Sequence, residues 1–246
     1  MAWTGTAVIE PGRLVYAGAL GAAHAHTHAA VQIAVAVDGV LRFSDGGDGT
    51  AQGTAAVIPA GVTHAFDAGA ARGLMIYVDP SSVVGRSLTA LFTDRHRATS
   101  WTGAAAALAA PPDVDDLSAA ADAVLGALVG DARPAARTDW HPSVVRALEV
   151  IPGMLDGPVR IGDVARVVGL SADRLGRLFA RDVGLSFPAC VRWARLMRAL
   201  ETARSGGNLT DAAHAAGFAD SSHANKAFHE MFGLAPAALK EGVQLR

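Results

Sequence analysis

Between Arg160 and Glu241 the chain states one pattern twice, and that repetition restricts the fold more than any other feature. The first statement is Ile161-Gly162-Asp163-Val164-Ala165-Arg166-Val167-Val168-Gly169-Leu170-Ser171, then Arg174-Leu175-Gly176-Arg177-Leu178-Phe179 and Gly184-Leu185-Ser186. The second is Leu209-Thr210-Asp211-Ala212-Ala213-His214-Ala215-Ala216-Gly217-Phe218, then Ser222-His223-Ala224-Asn225-Lys226-Ala227-Phe228 and Gly233-Leu234-Ala235-Pro236. Each predicts a short apolar-striped helix, a turn pivoting on one glycine, and a second helix. Glycine suits the pivot because positive φ costs it nothing. Such a pair is a helix-turn-helix, whose second helix can enter a DNA major groove. Residues 188–204 read as one long helix joining the two.

This ordered double pattern resembles the DNA-binding domain of the AraC/XylS family of transcription regulators. The likeness covers roughly the last hundred residues and is carried by Ala165, Gly169, Ser171, Leu175, Arg177, Phe179, Gly184, Arg195, Ala213, Gly217-Phe218, Ser222, Phe228, Gly233 and Pro236. It implies sequence-specific binding of double-stranded DNA, with RNA polymerase a candidate partner. Ala224 stands where the family has a larger apolar residue, and His229 and Glu230 stand where it has basic ones.

The first recognition helix is expected over 172–183 with Ser171 as N-cap. Leu175, Leu178 and Phe179 then point inward, leaving Asp173, Arg174, Gly176, Arg177 and Arg181 outward. Arg174 and Arg177 are placed to meet base edges, where arginine bonds guanine, while Arg181 lies where phosphate runs. The second recognition helix is expected over 221–232, presenting Ser221, Ser222, His223, Asn225, Lys226 and His229, with Asn225 suited to adenine. Charge is uneven: residues 160–204 carry nine arginines and four acids, net +5, and residues 205–246 are net −1. The first unit should therefore supply most of the phosphate attraction.

The 246 residues suffice for one to two domains with cores of their own. An apolar content of 51% against 18% charged excludes a disordered chain. The single Cys190 excludes an internal disulfide and fits a reducing compartment. No signal peptide or apolar run of membrane length is evident, so a cytoplasmic location is expected.

Residues 14–80 alternate between strand and turn signals. Val31–Val37 followed by Asp38-Gly39 and Val40–Phe43 predicts a hairpin; residues 55–58 and 74–78 read as further strands, in a sandwich or small barrel. His26-Thr27-His28, Gln32 and Gly39 form one cluster, and Gly53, Pro59-Ala60-Gly61 and His64 form another. The two clusters resemble the paired motifs of the cupins, which implies a β-barrel with His26, His28 and His64 as ligands of a divalent transition metal. Gln32 stands where the family has an acid, and the Asn that commonly follows the last His is missing. Three neutral imidazoles suit Zn, Ni, Cu or Fe(II). Residues 24, 26, 28 and 32 share parity, which on an extended strand puts them on one side. His24 opens a second register, but only the His26/His28 register places Gln32 and Gly39. A pocket for an organic effector, lined by the same histidines, is the parallel reading.

Residues 81–97 read as a helix capped by Ser81 or Ser82, and residues 113–129 as a second helix capped by Asp113. Their apolar stripes need a surface: a partner subunit, giving a homodimer, or their own barrel. Residues 131–139 read as a linker, and His141-Pro142 opens the next helix. The expected organisation is α+β: a cupin-like sensor barrel with trailing helix over 1–97, a helical segment and linker over 98–138, and an all-α double helix-turn-helix domain over 139–246. The function expected is a DNA-binding regulator sensing a small molecule or metal. The alternative is a metal-dependent cupin enzyme fused to a DNA-binding domain, for which no Asp or Glu lies between Pro11 and Asp38.

Overall fold

The computed structural model describes residues 3–108, 110–130, 140–206, 209–218, 220–232 and 242–246. The linker at 131–139 and the second Gly-Leu-Ala-Pro segment at 233–236 lie outside the described residues. The fold is α+β, and its contacts divide it into two compact units: residues 1–135 together with 229–246, and residues 136–228.

The first unit contains two sheets. One has six strands in the order β10-β1-β2-β9-β4-β7, and the other has four in the order β3-β8-β5-β6. The strands are β1 (Thr4–Glu10), β2 (Arg13–Ala19), β3 (Ala22–His26), β4 (Val31–Ala36), β5 (Leu41–Asp45), β6 (Thr50–Gly53), β7 (Ala55–Ile58), β8 (His64–Asp67), β9 (Arg72–Val78) and β10 (Val243–Leu245). Aromatic rings join the sheets: Trp3 meets Tyr16 edge-on at 5.4 Å and Phe66 at 5.8 Å, and Phe66 stacks with Phe43. Every residue of β4 is buried, Gln32 included, as the apolar run around that glutamine leads one to expect of a strand covered on both faces.

Asp38-Gly39 does not close a hairpin. β4 pairs with β7 and β9, whereas β5 pairs with β6 and β8. With both edges of β4 taken, the chain leaves that sheet and starts the other. Asp38 holds the turn in place by accepting the N–H of Arg72 at 2.6 Å. β1 and its antiparallel pairing to β2 were not read from the sequence, nor was β10, which lies parallel to β1 with Gly5 opposite Val243.

Two expected helices differ in extent. Of the helix expected over 81–97 only α1 (Val83–Thr89), capped by Ser82, is formed, and a separate helix, α2 (Ala98–Ala104), begins just after that range. Between them the Asp94 carboxylate takes the N–H of His96, a local alternative to helical bonding. The next helix, α3 (Leu117–Val129), is capped by Asp116, which accepts from the N–H groups of Ser118 and Ala119; Asp113 instead closes a turn onto Asp115. The α3 stripe of Ala121, Val124, Leu125 and Leu128 is buried, and α3 packs on β2 and α1 of its own unit. That stripe therefore does not itself require a second subunit.

The second unit is helical: α4 (Pro142–Val150), α5 (Ile161–Val167), α6 (Ala172–Leu178), α7 (Phe187–Arg204), α8 (Leu209–Ala215) and the first two turns of α9 (Ser221–Phe232). Its core includes Val164, Leu175, Phe179, Trp193 and Leu196, with Cys190 buried on α7. A second cluster of Ala213, Ala216, Phe218 and Ala227 has Ala224 packed against it, so Ala224 is turned towards the core. Both pivots have the backbone that only glycine adopts cheaply: Gly169 at φ 71° and Gly217 at φ 75°. At Gly217 a Cβ would also stand 2.0 Å from the Leu155 carbonyl oxygen.

The capping difference is directly measurable. Asp116→Ala should lower unfolding stability by about 1 kcal/mol, the usual cost of a lost N-cap. Asp113→Ala should stay within about 0.5 kcal/mol of the parent. Chemical denaturation of both variants, followed by circular dichroism, separates the two assignments.

Candidate metal centre and nucleic-acid interface

His26 ends β3, His28 lies in the connection to β4, Gln32 is on β4, and His64 begins β8. The ligand nitrogens of the three histidines all lie within 4.8 Å of one another. His26 and His64 face each other directly across the β3–β8 ladder, which puts both rings on one side of the four-stranded sheet. Gln32 comes from the opposite sheet. The residues converge because the chain crosses between sheets from 27 to 30, and not through strand parity. A register shift between Ala23 and His26 breaks that parity, leaving His24 exposed while His26 is buried. His24 is thereby set apart from the cluster.

The protonation of these rings follows from their partners. The Nδ1 of His26 lies 2.7 Å from the His24 carbonyl, that of His28 lies 2.8 Å from the Ala30 carbonyl, and that of His64 lies 3.2 Å from the Val62 carbonyl. A carbonyl oxygen only accepts, so each Nδ1 donates and carries the hydrogen. In a neutral imidazole the Nε2 is then a bare lone pair. The Nε2 atoms of His28 and His64 stand 2.8 Å and 3.1 Å from the Gln32 amide oxygen, itself an acceptor. The Gln32 amide nitrogen points to the Met75 sulfur at 3.6 Å.

Three acceptors thus meet without a hydrogen between them. A second proton on the rings is opposed by burial, which pushes His28 down to about 4 and His64 well below its ordinary value. Two arrangements resolve the conflict: a cation among the acceptors, or the amide turned over so that its NH2 donates to both rings. The donor set fits a transition metal: imidazole Nε2 atoms with Nδ1–H tied to carbonyls are the usual form of a metal-bound histidine. Nitrogens bound at about 2.1 Å in a tetrahedral site lie about 3.4 Å apart, so the rings need to close by up to about 1.4 Å from their present separation of at most 4.8 Å. His28, Gln32 and His64 are at most 2% exposed, and His26 is 7% exposed, which leaves room for an ion more readily than for a large molecule.

Three neighbours were not singled out from the sequence. Met75 supports the amide, Tyr77 meets the His28 ring edge-on at 5.6 Å, and Trp101 meets His64 at 6.1 Å. Tyr77 lies opposite Gln32 in the β4–β9 ladder, so the register would have pointed to it, but that pairing is invisible in a linear reading.

On α6 the Ser171 side chain accepts the N–H of Arg174 and caps the helix, with Leu175 and Leu178 buried. Beyond Leu178 the expected helix widens its bonding into a π-helical turn over Phe179–Val183, with the Gly184 N–H reaching back to the Phe179 carbonyl. Asp173, Arg174, Arg177 and Arg181 are exposed and Gly176 is partly so. Most of the arginine charge is matched locally. Arg177 pairs with Asp173 at 2.5 Å, Arg181 with Asp182 at 2.5 Å, Arg166 with Asp163, Arg198 with Asp156, and Arg204 with Glu201. The nine arginines of residues 160–204 are thus five in ion pairs plus Arg160, Arg174, Arg192 and the partly buried Arg195. Four of the pairs lie within the segment and cancel, so the net +5 rests on these other four arginines and Arg198, whose partner Asp156 lies outside it. Arg174 is exposed at the start of α6 with no acidic partner among the described residues.

In α9, Asp220 accepts the N–H of His223, and the His223 ring packs edge-on against Phe218 at 5.4 Å. Ser222, His223, Asn225, Lys226 and His229 are exposed; the side chain of Ser221 lies outside the description.

A family model described as "Helix-turn-helix domain" matches residues 164–242. The HTH-type transcriptional regulator GlxA of Rhizobium meliloti (strain 1021) is 29% identical over 101 residues, covering 41% of this chain and 31% of that protein. The chain thus matches under a third of that relative's length. Among solved structures, ToxT from Vibrio cholerae O395 superposes with a TM-score of 0.58 at 10% identity, covering 93% of this chain and 96% of that one. A structure of unsaturated fatty acid bound wild-type ToxT from Vibrio cholerae strain SCE256 gives 0.57 at 12% identity, covering 97% of each. At these identities the likeness is one of fold.

With its neighbours neutralised, Arg174 is expected to outweigh Arg181 in duplex binding. Arg174→Ala should cost about 1–3 kcal/mol if it meets a base, and Arg181→Ala clearly less. Fluorescence anisotropy at matched salt measures both.

Proposed function

We infer, from the premise that the C-terminal part is an AraC-type helix-turn-helix domain, that this protein regulates transcription by binding double-stranded DNA and sensing a ligand in its β domain. The doubled helix-turn-helix with its two glycine pivots carries the DNA-binding reading. For the β domain the reading is a cupin-like sensor in which His26, His28 and His64 hold a divalent transition metal, with the Gln32 oxygen as a weak fourth donor. The convergence of bare imidazole nitrogens on an amide oxygen supports it. When bound, the ion would supply the positive charge that these acceptors lack.

A second reading has one observation behind it. ToxT, similar in fold over nearly the whole chain, has been solved with an unsaturated fatty acid bound. An apolar carboxylic acid as effector would use the same barrel. Burial of all four polar side chains favours the ion. A turnover site would need an acid or base beside the imidazoles, and the neighbours identified are Gln32, Met75, Tyr77 and Trp101.

Elemental analysis of protein purified without chelator or affinity tag tests the metal. The expected result is one equivalent of Zn, Ni, Cu or Fe, lost in His64→Ala; a protein that carries no metal and takes up none on titration excludes this reading. Native mass spectrometry of the same sample would reveal a retained organic acid. Duplex binding measured with and without the metal tests sensing.

Acid should affect the metal-free protein in a defined window. Burial holds the His28 pKa at about 4 against an ordinary 6.5, so the unfolded chain takes up the proton first. Stability is complete above about pH 6.5 and falls as the pH drops towards 4. Metal affinity should fall over the same range, since protons compete for the same nitrogens. Thermal melts from pH 8 to pH 4, with and without metal, read both effects.

A further inference from the structure

Asp173 is the only acid on α6, and it occupies the exposed side of a helix expected to face DNA. A carboxylate there repels phosphate, and against most base edges it sets acceptor against acceptor. Its own helix provides two structural reasons for it: an acid in the first turn suits the helix dipole, and Asp with Arg four residues later is a favourable pair. Exposed pairs of this kind contribute only a few tenths of a kcal/mol, little return for a group that opposes binding.

The geometry of the pair suggests more. Arg177 reaches Asp173 through Nη1 at 2.5 Å, and the two side chains are 70% and 74% exposed. The closest approach of this ion pair is Nη1 to Oδ2, and a guanidinium carries five N–H groups, so Nε and Nη2 can still donate. On Asp173 the other oxygen, Oδ1, can accept. The pair therefore presents donors and an acceptor side by side while its internal contact is kept. In the major groove a G·C pair offers two acceptors on guanine, O6 and N7, beside the N4 amino donor of cytosine. An A·T pair offers an adenine donor where arginine needs an acceptor, and a thymine O4 acceptor where aspartate needs a donor.

Resting on the reading of α6 as a recognition helix, we propose that Asp173 and Arg177 together read one G·C base pair, Arg177 on guanine and Asp173 on cytosine, and that Asp173 sets the specificity at that position. The other acids near this face do not compete for the role. Asp182 is paired to Arg181 with its side chain only 4% exposed and accepts the His141 N–H, and Asp163 lies on α5 paired with Arg166.

In vitro selection with the full-length protein and a random-sequence duplex library tests this, using wild type, Asp173→Ala, Asp173→Asn and Arg177→Ala. Wild type should enrich sites in which one position is held to G·C. Asp173→Ala should relax that position about tenfold or more, leave the remaining positions unchanged, and bind a fixed non-operator duplex several-fold more tightly at low salt. Asp173→Asn, whose amide oxygen still accepts from cytosine, should keep the G·C preference but share the tighter non-specific binding. Arg177→Ala should relax the same position. If Asp173→Ala and Arg177→Ala enrich the wild-type sequence, or relax two different positions, the proposal is overturned. It is equally overturned if the Asp173 variants lose thermal stability alone, with base preference intact. Enrichment of nothing by wild type would count against the DNA-binding reading itself.

Discussion

Four hydrogen-bonding side chains shut inside an apolar double sheet are the constraint on which the β domain turns. Leaving any one of them unpaired costs about 1–3 kcal/mol, so the surrounding backbone is committed to satisfying them. The carbonyls of His24, Ala30 and Val62 each take one imidazole N–H. The amide of Gly61 bonds the His28 carbonyl, tying the turn before His64 to the segment that crosses between the sheets. Ring positions, loop path and sheet crossing are thus one solution to a single problem. What this network leaves unsatisfied is all of one sign, acceptors facing acceptors, and that residue is the chemical signature of the site.

Much of the helical half was legible because its information is local. The α9 limits, the Ser171 cap and the inward positions Leu175 and Leu178 follow from 3.6-residue periodicity and capping chemistry within a few residues. The β half was legible in its motifs but not in its pairing. His26, His28, Gln32 and His64 could be grouped, yet the reason they meet was different: a register shift removes His24 and a crossing between sheets replaces shared parity. The expected hairpin at Asp38-Gly39 failed because turn residues say that the chain bends, not which strand it then finds. The cap expected at Asp113 fell to Asp116 because the chain enters the helix three residues later, a choice made by the backbone path and not by residue type.

A bare count of arginines overstates the charge open to a phosphate. Nine arginines in forty-five residues suggest a strongly attractive surface, but partners three or four residues away neutralise several of them. Such pairs are weak in solvent, so they do not forbid phosphate contacts; they tax each one with the breaking of a bond. A surface of this kind holds non-specific DNA loosely and gains most where a site rewards individual side chains.

The parallel pairing of β10 with β1 bears on how the molecule is made. Gly5 and Arg246 donate main-chain hydrogen bonds to Gly242 and Ala7, so a segment far along the chain completes a sheet begun at β1. Until that segment docks, β1 presents an open edge, the feature most prone to pairing with other polypeptides. Loop closure over so long a separation adds an entropic cost that grows only slowly with length. Protection of this edge therefore waits on residues 243–245, and not on completion of β1 to β9 alone.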